Sequence, residues 1–336
     1  MAKKVEGGAE RRIGLALSGG GFRAAGFHLG VFRKLRQLDL LDRVDVLSCV
    51  SGGSIAGAYL ALNWKSPTVL DELETYLRTK SIAVGSVIGG ILDPFHSRLE
   101  KLAATYDRDL FQGKRMDALR GGPRIYLNAT NLATGNLFFF VAGGGGAEEM
   151  GEHELGDCSA SEVRIAEAVA ASSAFPPVFP PLRLNPDRFP PGEKVGYVTL
   201  TDGGVYDNMG IGPLLRDRNK LDYILASDGG KPFALATEPT TDGAVVLKES
   251  LNIMMEQIRG LEFDRMEHRA LAGAGPRPAW FSIDSTVGQV QEGDADFASA
   301  IDTNLKALKP AELNTLMRHG GALAEHRLRT YARELL

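Results

Sequence analysis

Ser54 closes the run Asp45-Val46-Leu47-Ser48-Cys49-Val50-Ser51-Gly52-Gly53-Ser54, where an apolar, β-prone stretch breaks at two glycines and continues as a helix. A serine on so tight a strand-to-helix turn has its Oγ lifted clear of the sheet and a helix N-terminus aimed at it, the form of a nucleophile elbow. Gly52 and Gly53 leave room for the turn. Ala56 stands where the plainest form, G-x-S-x-G, has its last glycine, and Gly57 follows one step later. Acyl transfer needs two further parts, donors for an oxyanion and a base for the serine proton. Gly19, Gly20 and Gly21 lie on the loop after the preceding strand, where unobstructed backbone amides can face a developing negative charge. Arg23, at the mouth of the next helix, could bind an anionic substrate group.

The base is not a histidine in any position a catalytic triad would use. His28, His96, His153, His268, His319 and His326 all miss a strand end followed by turn residues, and the last three sit among Arg and Glu on C-terminal helices, as solvated residues would. Two carboxylates remain, Asp202 in Thr201-Asp202-Gly203-Gly204 and Asp228 in Ser227-Asp228-Gly229-Gly230. Each ends a strand, where desolvation can raise its basicity enough to take a hydroxyl proton, and their local form leaves both open. The glycine run also fits G-x-G-x-x-A over Gly19 to Ala24. A dinucleotide site, however, wants an acid at the end of the second strand, and here the serine turn occupies that place. No G-K-[ST] follows, so a P-loop fails too.

The elements that must hold these residues alternate. Residues 13–17 read as a buried strand, Arg23 to Leu38 as a helix, Val44 to Val50 as a second strand and Ser54 to Trp64 as a second helix. Strand, crossover helix and strand imply parallel pairing with a right-handed connection. Helices follow at 69–80 and 96–119, strands at Arg124 to Ala129 and Leu137 to Val141, and a helix at Ile165 to Ser173. Val195 to Leu200, Tyr223 to Ser227 and Ala279 to Ile283 are further strands. Residues 142–160 carry four consecutive glycines and several acids without an apolar period, which predicts a mobile surface loop. The pattern is that of an α/β fold with a mostly parallel sheet.

Composition bounds the rest. The 336 residues are 44% hydrophobic and 24% charged, with a net charge of −4, so the chain has enough apolar material for one large core and no basic footprint for nucleic acid. Residues 1–11 read as a flexible tail, and 12–336 as one domain with a helical C-terminal part from about 240. No secretory leader and no run of about 18 apolar residues is visible. Two distant cysteines, Cys49 and Cys158, make no disulfide framework, which fits a reducing, cytoplasmic setting.

Four separated motifs together resemble the patatin-like phospholipases and the related catalytic domain of cytosolic phospholipases A. They are Ser18 to Ala24, Gly52-Gly53-Ser54, the proline-bounded Ala170-Ala171-Ser172-Ser173-Ala174-Phe175-Pro176-Pro177, and Asp202-Gly203-Gly204, in the family's order across roughly residues 12–230. The resemblance implies a three-layer α/β/α sandwich and a Ser–Asp dyad without histidine: Ser54 as nucleophile, Asp202 rather than Asp228 as base. It makes Gly20 and Gly21 oxyanion donors and Arg23 their support or a contact for a lipid phosphate. The expected activity is hydrolysis of lipid or other carboxylic esters through an acyl-enzyme, with no metal or organic cofactor. Alternatives are acyl transfer on the same dyad, or a non-catalytic lipid- or nucleotide-binding module. A lipid substrate further implies peripheral membrane contact. Val84 to Phe95, apolar and interleaved with glycine, is read either as a movable border of the site or as a helix packed on the sheet.

Overall fold

The computed structural model describes residues 11–82, 96–233, 238 and 241–336. The first elements are β1 (Ile13–Leu17), α1 (Gly21–Gln37), β2 (Val44–Cys49), α2 (Gly52–Leu62), α3 (Val69–Thr79) and α4 (His96–Tyr106). Next come β3 (Arg124–Asn131), β4 (Leu137–Ala142), β5 (Glu149–Glu152), β6 (Gly156–Ser159), α5 (Ile165–Ser172) and β7 (Leu182–Leu184). β8 (Val198–Asp202), α6 (Gly204–Asp207), β9 (Tyr223–Asp228), α7 (Gly243–Leu271), β10 (Arg277–Ser282), α8 (Asp294–Ala300) and α9 (Pro310–Tyr331) complete the chain. The sheet runs β10-β9-β1-β2-β3-β4-β5-β6, with its first five strands mutually parallel and the remainder antiparallel. β1 and β9 are buried at every position because layers cover both faces. Along β1 the side chains alternate: Ile13, Leu15 and Leu17 join the large core under α1, α2, α3, α5 and α9, while Ala16 faces a thinner one. That second core is closed by Met209, Ile211, Leu214 and Leu215 and by Met266 of α7.

Three sequence expectations change. Residues 142–160 are not a surface loop: β5 and β6 pair antiparallel there as an extension of the sheet. The apolar period is missing because β6 is largely exposed, and because the buried acids at the two ends of β5, Glu148 just before it and Glu152 in its last position, bring polar partners with them. Glu148 takes two hydrogen bonds from Arg120, at 2.8 and 2.9 Å, and Glu152 takes one from Thr134 Oγ1 at 2.7 Å. The single helix expected over 96–119 is α4, then a π turn (Asp107–Phe111) and a 3₁₀ turn (Met116–Gly121). His319, expected in solvent, is fully buried, its Nε2 2.8 Å from the Ile283 carbonyl. Val84 to Phe95 lies outside the described residues.

β3 decides where the site forms. β4 occupies one of its edges from Ile125 to Thr130. On the other edge β2 pairs only as far as Cys49 opposite Leu127, and β8 then takes over, with Asp202 opposite Ala129. β2 and β8 therefore meet end to end, and the last residue of each strand lies about 7 Å apart along β3 at the usual strand rise. β8 is short but continues to Asp202, two residues past the expected end.

α1 and α9 cross with their backbones almost touching. A Cβ on Gly30 would fall 2.1 Å from the Met317 carbonyl oxygen, and one on Gly320 2.4 Å from that of Phe27. Gly30→Leu is expected to lower stability by about 1–3 kcal/mol through overpacking, read from urea unfolding, whereas Gly121→Ala, which meets nothing within 4 Å, should be close to neutral.

Candidate active site

α2 begins at Gly52, two residues before the expected Ser54, so the sharp turn falls at Ser51. Ser51 adopts φ 50°, ψ −114°, a left-handed conformation that a residue with a Cβ holds only when its surroundings enforce it. It is half-buried, and its side chain lies close enough to the Asp202 carboxyl to favour the ionised form of that group. Ser54 does not present its hydroxyl at the turn. It lies inside the first turn of α2, fully buried, with its Oγ 2.8 Å from Ser172 Oγ. Ala56 is likewise in the helix interior and forms no part of the elbow. The signal missed in the sequence is Cys49-Val50-Ser51-Gly52-Gly53, which is G-x-S-x-G with Cys49 in the first glycine's place.

The glycine loop sits against this turn. A Cβ on Gly19 would lie 3.3 Å from that of Ser51, and one on Gly52 only 2.2 Å from the Gly21 carbonyl oxygen and 2.8 Å from its nitrogen. Two backbone bonds hold the segments together: Val50 N donates to Leu17 O at 3.0 Å and Gly53 N to Ser18 O at 3.1 Å. Gly20 and Gly21, at φ 139° and 60°, turn β1 into α1. Gly19 N donates to Asn208 O at 3.0 Å, so it is already engaged. The amides of Gly20, Gly21 and Gly52 have no acceptor among the described residues. They open the first turns of α1 and α2, and the N-terminal dipoles of both helices add to their preference for negative charge.

Arg23 is not available to a substrate anion, because it is fully buried. Its Nε donates to Gly229 O at 3.1 Å, and its Nη1 donates to Ile301 O at 2.9 Å and to Thr303 Oγ1 at 2.6 Å. The remaining Nη2 has no partner and lies 2.8 Å from where a Gly20 Cβ would be. Burial lowers the guanidinium's pKa to about 10, against the pull of Asp228 and Asp302. Arg23 thus ties the start of α1 to two neighbouring segments and leaves an unsatisfied cationic edge behind the glycine loop.

The end of α5 brackets both halves of the site. Ser172 Oγ accepts from Ser51 N at 3.0 Å, while Asp202 N donates to Ala174 O at 3.2 Å and Thr201 Oγ1 donates to the same carbonyl at 2.8 Å. Asp202 is almost wholly buried. Its Oδ1 accepts from Gly204 N at 2.7 Å, and its Oδ2 has no partner. Desolvation raises its pKa to about 7, opposed by the Gly204 amide and by the nearby Ser51 side chain, which favours the ionised form without closing a bond to Oδ2. Asp228, the other strand-end carboxylate, is committed elsewhere: Oδ2 pairs with Arg259 Nε at 2.6 Å and Oδ1 accepts from Gly230 N at 3.1 Å. His28 is buried between Ser227 Oγ at 2.7 Å and the Ser18 carbonyl at 3.0 Å, and burial drives its pKa down to about 4. Among the described residues, no group of three His, Cys, Asp or Glu side chains is disposed to hold a metal ion. No described helix is long and apolar enough to cross a membrane.

A serine turn, a glycine loop and a desolvated aspartate at the carboxyl edge of a mostly parallel α/β sheet define one class of fold and site. Residues 15–215, more than half of the sequence, match the family described as patatin-like phospholipase, and the chain belongs to that family. Human GIVD cytosolic phospholipase A2 is similar in fold, with a TM-score of 0.62 at 13% identity over 97% of this chain and 62% of that one. The same human protein in complex with methyl gamma-linolenyl fluorophosphonate and terbium chloride gives a TM-score of 0.58 at 14% identity, over 97% of this chain and 59% of that one. This chain therefore spans less than two thirds of the length of those structures. No curated protein matches it in sequence.

The raised pKa of Asp202 carries a sign. Between about pH 4 and 7 the native carboxyl keeps a proton that the unfolded chain has lost, so this group makes stability fall as pH rises through that window. Asp202→Asn removes the effect. Its stability relative to the parent should climb from pH 4 to pH 7 and level off above, measured by denaturant unfolding across pH; a flat difference would show that the carboxyl is not held protonated.

Proposed function

We propose that this chain hydrolyses carboxylic esters of lipids, with Ser51 as nucleophile and Asp202 as base. The observation that carries the reading is the junction of β2 with β8, where a strained serine turn stands beside a buried carboxylate whose ionised form its side chain favours. Ser51 Oγ attacks the acyl carbonyl while Asp202 Oδ2 takes its proton. The oxyanion is received by the free amides of Gly20, Gly21 and Gly52, with the Arg23 guanidinium behind them. Collapse returns the proton to the leaving alkoxide and leaves an acyl-Ser51. Water, deprotonated by Asp202, then releases the fatty acid. A base with a pKa near 7 suits this work, being ionised in a useful fraction at neutral pH yet basic enough to pull a hydroxyl proton. The family match supports a lipid ester as substrate, and the second relative's alkenyl fluorophosphonate supplies a reagent of matching chemistry.

An alkyl fluorophosphonate should label Ser51, identified by peptide mass. Ser51→Ala should lose both the label and about 10³–10⁶-fold of ester turnover, and Asp202→Asn should lose comparable turnover with the fold intact. Ser54→Ala should keep the label; a label carried by Ser54, or full activity in Ser51→Ala, overturns the assignment. The kcat/KM for a short-chain ester should rise about tenfold per pH unit below the Asp202 pKa of about 7 and level off above it. Ser172→Ala, which removes the acceptor of the Ser51 amide, should lower kcat about fivefold at little cost in KM, because loss of one hydrogen bond is worth about 1 kcal/mol.

A further inference from the structure

Asn208 stands where the glycine loop meets the turn after Asp202. Its backbone carbonyl accepts from Gly19 N at 3.0 Å, a bond that any residue at this position would keep. The half-buried carboxamide is wedged among glycines that follow three different strands, β1, β8 and β9. A Cβ on Gly19 would lie 2.3 Å from Asn208 Oδ1 and 3.3 Å from Ser51 Cβ; one on Gly204 would lie 2.6 Å from the same oxygen and 3.0 Å from Asp202 Oδ1. Asn208 Oδ1 is therefore at most about 5.6 Å from Ser51 Cβ and from the Asp202 carboxyl, and one water spans the second gap with two hydrogen bonds. The surroundings orient the amide. Its Nδ2 faces Gly230, where Asp228 Oδ1 and the Gly19 carbonyl stand 3.0 and 4.0 Å from a common point, so the donor end meets acceptors. The amides beside the oxygen end are spent elsewhere, Gly204 N on Asp202 Oδ1 and Gly19 N on the Asn208 main chain. Asn208 Oδ1 is left as an acceptor turned toward the reacting groups.

We propose that Asn208 selects water as the acyl acceptor in the second half-reaction, an inference that rests on the Ser51–Asp202 reading. Water brings two protons to the acyl-enzyme. One passes to Asp202 Oδ2 as the water oxygen bonds to the acyl carbon. The other stays on that oxygen and donates to Asn208 Oδ1, which aims the attacking lone pair at the carbonyl. The tetrahedral oxyanion rests on the amides of the glycine loop and Gly52. Its collapse breaks the bond to Ser51 Oγ, Asp202 returns its proton to Oγ, and a carboxylic acid departs with the second proton. An alcohol has a single hydroxyl proton, which Asp202 takes, so it gains nothing from the carboxamide. Asn208 thereby favours hydrolysis over transfer of the acyl group to an alcohol.

The test is turnover of a short-chain p-nitrophenyl ester in buffer containing methanol. Stopped flow reads the burst that forms acyl-Ser51, and mass spectrometry reads the ratio of methyl ester to free acid. Asn208→Leu, similar in size, should keep the burst rate within about twofold, lower hydrolysis about fivefold, and raise the ester-to-acid ratio by about the same factor, as loss of one hydrogen bond to water implies. Asn208→Ala should move the ratio in the same direction, and it carries the test where leucine disturbs the loop. Asn208→Asp, which keeps an oxygen acceptor in place, should hold the ratio of the parent. A side chain that only props the loop would slow hydrolysis and methanolysis alike. An unchanged ratio in the leucine and alanine variants, or an equal rise in Asn208→Asp, therefore overturns the proposal while leaving Ser51 and Asp202 in their roles. A parent that forms no acyl-Ser51 overturns the catalytic reading, and this inference with it.

Discussion

The site depends on two stretches of backbone lying closer together than any side chain would permit. Gly52 and Gly53 press against the carbonyls of Gly21, Leu17 and Ser18, and Gly203 presses against that of Asn128. Because interiors are close-packed, a methyl group at any of these points has to displace main chain rather than a flexible side chain. The contact sets the separation of two helix N-termini, and hence the direction in which three amides point. It also forces Ser51 into its left-handed turn, a conformation that costs on the order of 1–3 kcal/mol and is held by surrounding bonds. The Ser172 hydroxyl on the Ser51 amide and the Val50 and Gly53 bonds to the glycine loop do the holding.

Three buried carboxylates share this end of the molecule and differ through their partners. Asp228 meets a guanidinium and stays part of an ion-pair network with Arg259. Asp207 accepts from the amides of Met209, Gly210 and Gly212, and so shapes the turn after α6. Asp202 has one amide and one empty lone-pair face, and burial governs its proton affinity. Chemical readiness here follows from what was left unpaired. The same reasoning removes His28 from the chemistry: it is neutral, saturated and behind the glycine loop, where it fixes Ser18 and Ser227.

Much of this was legible in the residues. β1, β2 and β9 read correctly because strands covered on both faces are nearly unbroken apolar runs, and the glycine loop lay where a βα turn had to be. The choice between the serines turns on a question of helix phase. Ser51 and Ser54 flank the same two glycines, and glycine's poor helix propensity suggests that the helix starts after Gly53. In the fold Gly52 and Gly53 are its first turn, because only residues without side chains fit against β1 there. The roles of Arg23 and His319 were hidden for a related reason. Their burial is set by segments more than two hundred residues away in sequence, around Ile301 and Phe27 respectively. β5 and β6 escaped notice because β6 is exposed and acids with polar partners stand at the ends of β5, which hides the alternation that normally betrays a strand.

The end-to-end meeting of β2 and β8 on one edge of β3 has a consequence for when the molecule becomes reactive. Ser51 and the glycine loop come from the first strands made, and β2 can find β1 through a short crossover. Asp202 arrives much later in the chain, on a strand joined to β3 by only three residue pairs and to its neighbour β7 by three more. On the proposed reading, a ribosome-bound or partly folded intermediate that lacks this late antiparallel insertion holds a serine with no base. Long-range pairing of this kind is the slow part of folding. On the proposed reading, ester cleavage is thereby tied to completion of the sheet, and unfinished chains carry an unarmed site.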